Sequence, residues 1–161
     1  MFIFLQQKCY LNIDIELHNM FLFPNFENNE WITKYNELVK DIKSREAHYK
    51  FVKETQPKRN DKEHYVTKDF VTIHHIIPKK VEMGLVKNKE NLLYVPFDLH
   101  CMLHYYLWKA DPKYANHLWF ICIAGRKMGI WDLPGGEEDY EQLKKDVGKY
   151  KKIKQNTQKP I

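Results

Sequence analysis

The stretch that decides the fold begins Phe70-Val71-Thr72-Ile73-His74-His75-Ile76-Ile77-Pro78-Lys79-Lys80, resumes after a loop as Asn91-Leu92-Leu93-Tyr94-Val95-Pro96, and ends in Leu99-His100-Cys101-Met102-Leu103-His104. Phe70 to Ile77 is β-branched and apolar and is closed by Pro78, which predicts a short strand running into a turn. Leu92 to Val95 predicts a second strand. Pro96 suits the first turn of a helix, where its missing N–H would have no partner, and Asp98 then lies near the positive end of the helix dipole. Leu99, Leu103 and Leu107 recur at helical spacing until Asp111 and Pro112 stop the helix. The order is strand, loop, strand, helix.

Upstream, Trp31, Tyr35, Leu38, Val39 and Ile42 repeat at helical spacing between Asn28 and about Ala47, with Asn28 or Asn29 available as an N-cap. Residues 48 to 68 are polar and contain Pro57, Arg59, Asn60 and Asp61, which reads as a long loop. The first 27 residues partly alternate apolar and polar side chains, as in a half-buried strand, without turn chemistry to frame them. Downstream, an apolar helix is expected over 112 to 124, capped by Asp111 and ended near Gly125. Leu133-Pro134-Gly135-Gly136 introduces a last helix with Tyr140, Leu143, Val147 and Tyr150 on one face and a basic tail behind it. The chain divides into an N-terminal segment (1–67), a strand–strand–helix unit (68–110) and a helical C-terminal extension (111–161), and the fold class is α+β.

With 161 residues the length suits one domain. Lys and Arg number 26 against 21 Asp and Glu, a formal charge of +5 that inclines the chain toward polyanionic partners. Aromatic residues make up 14%, enough to build a core and exclude global disorder. Cys9, Cys101 and Cys122 form no C-x-x-C pair, which argues against a disulfide framework and against a cysteine zinc site. The apolar start lacks a basic leader, and Asp14 and Glu16 interrupt it well short of the ~20 apolar residues of a membrane span. A reducing, cytoplasmic setting without membrane partners is the expectation.

Four of the eight histidines fall in the decisive stretch. His100 and His104 share a helix face and can present two imidazoles to one ion, the geometry that makes H-x-x-x-H recur in zinc enzymes. Alone, the pair describes packing histidines better than it describes ligands. Adjacent side chains on a strand point to opposite faces, so one of His74 and His75 can face the helix while the other faces a substrate. His18, His48, His64 and His117 lie outside this grouping and read as ordinary surface or core residues. Cys101, Trp108, Trp119 and Trp131 read as core.

His74-His75-Ile76-Ile77-Pro78-Lys79, Gly84, Glu90-Asn91-Leu92 and His100-x-x-x-His104 together resemble the HNH (ββα-metal) endonuclease motif, in the compact form found in phage and mobile-element nucleases. Sixteen residues separate His75 from Asn91, nine separate Asn91 from His100 and four separate His100 from His104, and all three intervals suit the family. The resemblance covers about 35 to 40 residues. It implies that 68–110 is a ββα-metal nuclease unit flanked by helices, that His75 is the general base with Asn91 as the motif asparagine, and that His74, His100 and His104 lie at a divalent metal. Asn91 is expected to bond backbone groups of the connecting loop rather than the phosphate. The family often has a Glu, which orients a motif histidine, where this chain has Thr72, and one loop glycine, Gly84, stands where two are common. The implied ion is Mg, Mn, Zn or Ni, and the implied partner is double-stranded DNA. Lys79, Lys80 and Arg126 are candidates for phosphate contacts. The rival readings are a noncatalytic DNA-binding module built on a structural zinc and a nuclease directed at RNA.

Overall fold

The computed structural model describes residues 22–23, 29–57, 67–78, 84 and 87–157, with side chains through Lys149. Helix α1 (Glu30–Ser44) starts at Asn29, whose side chain accepts from the Trp31 and Ile32 N–H groups, and buries Ile32, Tyr35, Val39 and Ile42 on one face. Helix α2 (Glu46–Thr55) follows after Arg45. Strands β1 (Val71–His75) and β2 (Leu92–Pro96) pair antiparallel with His74 opposite Leu93 and Thr72 opposite Val95. Helix α3 (Phe97–Ala110) leaves β2 directly, α4 (Ala115–Met128) follows a short 3-10 turn at Pro112–Tyr114, and α5 (Gly136–Thr157) closes the order. The α+β class and the strand–strand–helix order are both present. Among the described residues no helix is long and apolar enough to cross a membrane.

Three expectations are corrected. The polar loop read from residue 48 is helical through Thr55, because Glu46, Ala47, Lys50 and Lys53 are strong helix formers and Tyr49 anchors that face in the core. Helix α4 passes through Gly125 and stops at Gly129, whose φ of 67° is the left-handed cap geometry that favours glycine. Gly125 is needed for a different reason: a Cβ there would stand 3.2 Å from the Trp131 Cβ and 3.3 Å from the Phe97 ring. Pro96 ends β2 and precedes the helix, which begins at Phe97. The alternating stretch of the first 27 residues lies outside the described residues except for Leu22 and Phe23, which pack against the core; the Phe23 N–H and carbonyl bond the Asn36 amide.

Helix α3 sits at the centre. One side carries Leu103 and Leu107 into a core with α1 and both strands, another joins Tyr105 and Trp108 to α4 and α5, and Cys101 with Phe97 faces Ile121 and Trp131. Leu103 and Leu107 are fully buried, which is worth about 1.5–3 kcal/mol for each side chain. The two-stranded sheet has too few pairs to stand alone, and side-chain amides hold both ends of β1. Gln56 accepts from the Val71 N–H at 2.9 Å and donates to its carbonyl at 2.8 Å. Asn91, fully buried, accepts from the Ile77 N–H at 2.8 Å and donates to its carbonyl at 3.1 Å. The strand that carries the paired histidines is thereby fixed against α3.

Candidate metal centre

Alternation along β1 sends Thr72 and His74 to the side where they meet α3 and leaves Ile73 exposed, while His75, half-buried at the strand end, lines the pocket beside His74. His74 is only 2% exposed, whereas Ile73 is 41% exposed. On α3, His100 and His104 stand one turn apart and face the strand. The three rings gather with centroids 5.0 Å (His74–His100), 4.8 Å (His74–His104) and 4.9 Å (His100–His104) apart. One nitrogen from each lies within 4.8 Å of the others. His100 Nε2 and His104 Nε2 are 3.1 Å apart, close to the ~3.3 Å edge of a tetrahedron whose ligands sit about 2.0–2.1 Å from a zinc ion.

Burial, and then the neighbouring imidazoles, hold all three rings neutral. His74 and His104 are pushed well below the usual histidine range, and His100 is lowered to about 4, in each case by burial first and by adjacent histidines second. Metal ligation needs that neutral form. Two hydroxyl groups complete the surroundings. The Tyr35 phenol, kept protonated by burial, lies 2.7 Å from His74 Nε2 and donates to the Ile76 carbonyl at 2.7 Å. Thr72 Oγ1 lies 2.7 Å from His100 Nδ1 and donates to the Val95 carbonyl at 3.1 Å. His104 Nδ1 is buried without a hydrogen-bond partner. A divalent ion fits these residues because three neutral imidazoles converge on one centre, with His100 Nε2 and His104 Nε2 facing each other there. Imidazole donors without a carboxylate suit zinc or nickel among the candidate ions.

A pocket of about 370 Å³ opens over the cluster. Five of the six described histidines line it: His74, His75, His100, His104 and His117, with His48 elsewhere on α2. His117 is a correction, since it reads from sequence as an ordinary residue. It comes from α4, outside the strand–strand–helix unit, and its ring centroid stands 5.8 Å from that of His104. No motif spacing announces it; the only available signal is that His117 and Ile121 share one helix face. Phe120, 79% exposed, forms part of the rim.

No family model, curated protein or solved structure matches the chain. The residues therefore carry the reading unaided. His74, His75, His100 and His104 are brought to one pocket, and Asn91, which does not line it, bonds the backbone at Ile77 just beyond the histidine pair. Arg126 is not part of this pocket. Its guanidinium is engaged by Glu137 at 3.0 Å and Asp132 at 3.4 Å and lies 3.8 Å over the Tyr140 ring. Lys79 and Lys80 lie outside the described residues, as do His18 and His64. Tyr35 and Thr72 were legible only as a core position and as a departure from the motif, yet both contact ring nitrogens of the cluster.

Proposed function

We propose that the protein is an HNH-like, metal-dependent endonuclease that hydrolyses DNA phosphodiester bonds. The observation that carries this reading is the position of His75: a fourth imidazole, on the residue next to a buried candidate ligand, opening onto the same pocket as the three-histidine cluster. A structural zinc site alone gives no reason for that half-buried imidazole beside it in the pocket.

His75 takes a proton from a water molecule as the water oxygen bonds to phosphorus, the general-base role that imidazole fills most often. The bond from phosphorus to the 3′ oxygen breaks, that oxygen leaves with the electron pair and is protonated from solvent, and the products are a 5′ phosphate and a 3′ hydroxyl. His74, His100 and His104 would hold a divalent ion, which when bound would supply Lewis-acid stabilisation of developing negative charge. Asn91 keeps the turn after His75 closed, so that the base stays at a fixed height over the cluster. Lys79, Lys80 and the overall charge of +5 favour a polyanionic substrate.

Plasmid cleavage with Mg²⁺, Mn²⁺, Zn²⁺ or EDTA tests the reading. Wild type is expected to cut in at least one metal and not in EDTA. His75→Ala should retain fold and ion but lose roughly 10²- to 10⁴-fold in rate, the usual contribution of a general base. Equal cutting by both proteins removes His75 from the mechanism. A metal-binding wild type that binds DNA without cutting it under any condition supports the noncatalytic zinc module instead.

A further inference from the structure

We propose that Thr72 and Tyr35 are positioning residues that decide which ring nitrogen of His100 and of His74 is offered to the metal. The inference rests on the metal-site reading and adds two residues that no motif match singles out. Each hydroxyl stands between a backbone carbonyl and a ring nitrogen, and each has one proton to give.

A carbonyl can only accept. With the Thr72 proton on the Val95 carbonyl, Oγ1 turns a lone pair toward His100 Nδ1, 2.7 Å away, and that nitrogen must carry the ring proton. The lone pair of His100 is then on Nε2, the atom that faces His104 at 3.1 Å inside the cluster. On the other ring, the Asn91 N–H across from Ile76 is turned to the Asn88 carbonyl at 3.0 Å, and the Ile76 carbonyl takes its hydrogen from the Tyr35 phenol. His74 Nε2 at 2.7 Å from that phenol therefore carries the proton, and Nδ1 is left as the ligand atom.

Both rings thus show an N–H···O–H···O=C relay that ends on the backbone of the two-stranded unit: Val95 on β2 and Ile76 just past β1. Such partners fix the tautomer and orientation of metal-bound histidines, a role often filled by a carboxylate. Here Thr72, standing where a Glu is common in the resembled motif, supplies the acceptor without bringing a negative charge into the buried cluster. Tyr35 supplies the second from α1, so the N-terminal helix is part of the centre and not only packing for it.

Two measurements test this. Long-range ¹H–¹⁵N imidazole spectra of the metal-free protein should show His100 protonated on Nδ1 and His74 protonated on Nε2; the reverse tautomers in both rings would overturn the proposal. Titration with Co²⁺ should show Thr72→Val and Tyr35→Phe binding roughly 10- to 100-fold more weakly than wild type, with an altered visible absorption band. Thr72→Ser, which keeps the hydroxyl, should restore affinity to within a few-fold, a rescue that a purely steric role for Thr72 does not predict. Thr72→Val binding Co²⁺ as tightly as wild type contradicts the positioning role while leaving the metal site intact. A wild-type chain that binds no Co²⁺ contradicts both the metal site and this inference.

Discussion

Helix α3 separates two sets of buried polar groups, and they are satisfied in opposite ways. Toward α5, Asp139 accepts from the Tyr105 phenol at 2.8 Å and the Gly135 N–H at 3.0 Å, with Lys109 3.5 Å away. Asp146 accepts from the Trp108 indole at 2.8 Å and from Gln142 at 3.0 Å. Toward β1, three imidazoles crowd together with no carboxylate among them, and one ring nitrogen has no partner. The carboxylates of the seam are each met by donors, whereas the histidines turn ring nitrogens toward one another. Buried polar groups that satisfy one another hold a fold together; imidazole nitrogens gathered at one centre mark a candidate site.

One effect that separates the two regions is ligand stabilisation. Free Zn²⁺ at about 100 times its Kd should raise the unfolding free energy by about 2.7 kcal/mol, read from melting curves. The increment should vanish in His100→Ala and persist undiminished in Asp146→Ala; an equal increment in all three proteins would place zinc elsewhere. Next comes the seam itself. Asp146→Ala strands the Trp108 N–H in the interior and should cost about 1–3 kcal/mol in urea unfolding, with zinc affinity per folded molecule unchanged within about twofold. A matching loss of zinc affinity would show that the two regions are not separate.

The histidine side of this contrast is legible in the sequence and the carboxylate seam is not, and the reasons differ by residue. The strand–strand–helix order follows from β-branched runs, proline positions and leucine spacing, all of them local. His74, His100 and His104 were found because their spacing is a property of one continuous segment. His117, Tyr35 and Thr72 were not, since their roles depend on how α4 and α1 pack onto that segment, and a tyrosine at a core position of an amphipathic helix gives no sign that its hydroxyl meets a histidine. Helix α2 was missed for the reverse reason: Tyr49 is its one fully buried side chain, so its apolar periodicity is too sparse to stand out from a polar loop.

A further effect that separates the regions is a pH dependence. The folded-state pKa of His100 is about 4, and His74 and His104 are also lowered, while the unfolded chain titrates near 6.5. Below about pH 6.5 the unfolded form takes up protons that the folded form refuses, so this contribution is present above that pH and is lost as pH falls. The metal-free protein should lose stability with a slope of up to about 1.4 kcal/mol per pH unit for each imidazole, and for His100 the loss ends near pH 4. His100→Ala should flatten the slope, and Asp146→Ala should leave it in place between pH 6.5 and 5. Identical slopes in wild type and His100→Ala would mean that the cluster is not held neutral.

The central claim is that three imidazoles from β1 and α3 hold one divalent ion. Calorimetric titration of the metal-free chain with Zn²⁺ tests it most directly: one ion per chain is predicted, with binding abolished or reduced by orders of magnitude in His100→Ala. Absence of binding, or binding that His100→Ala leaves unchanged, would contradict it.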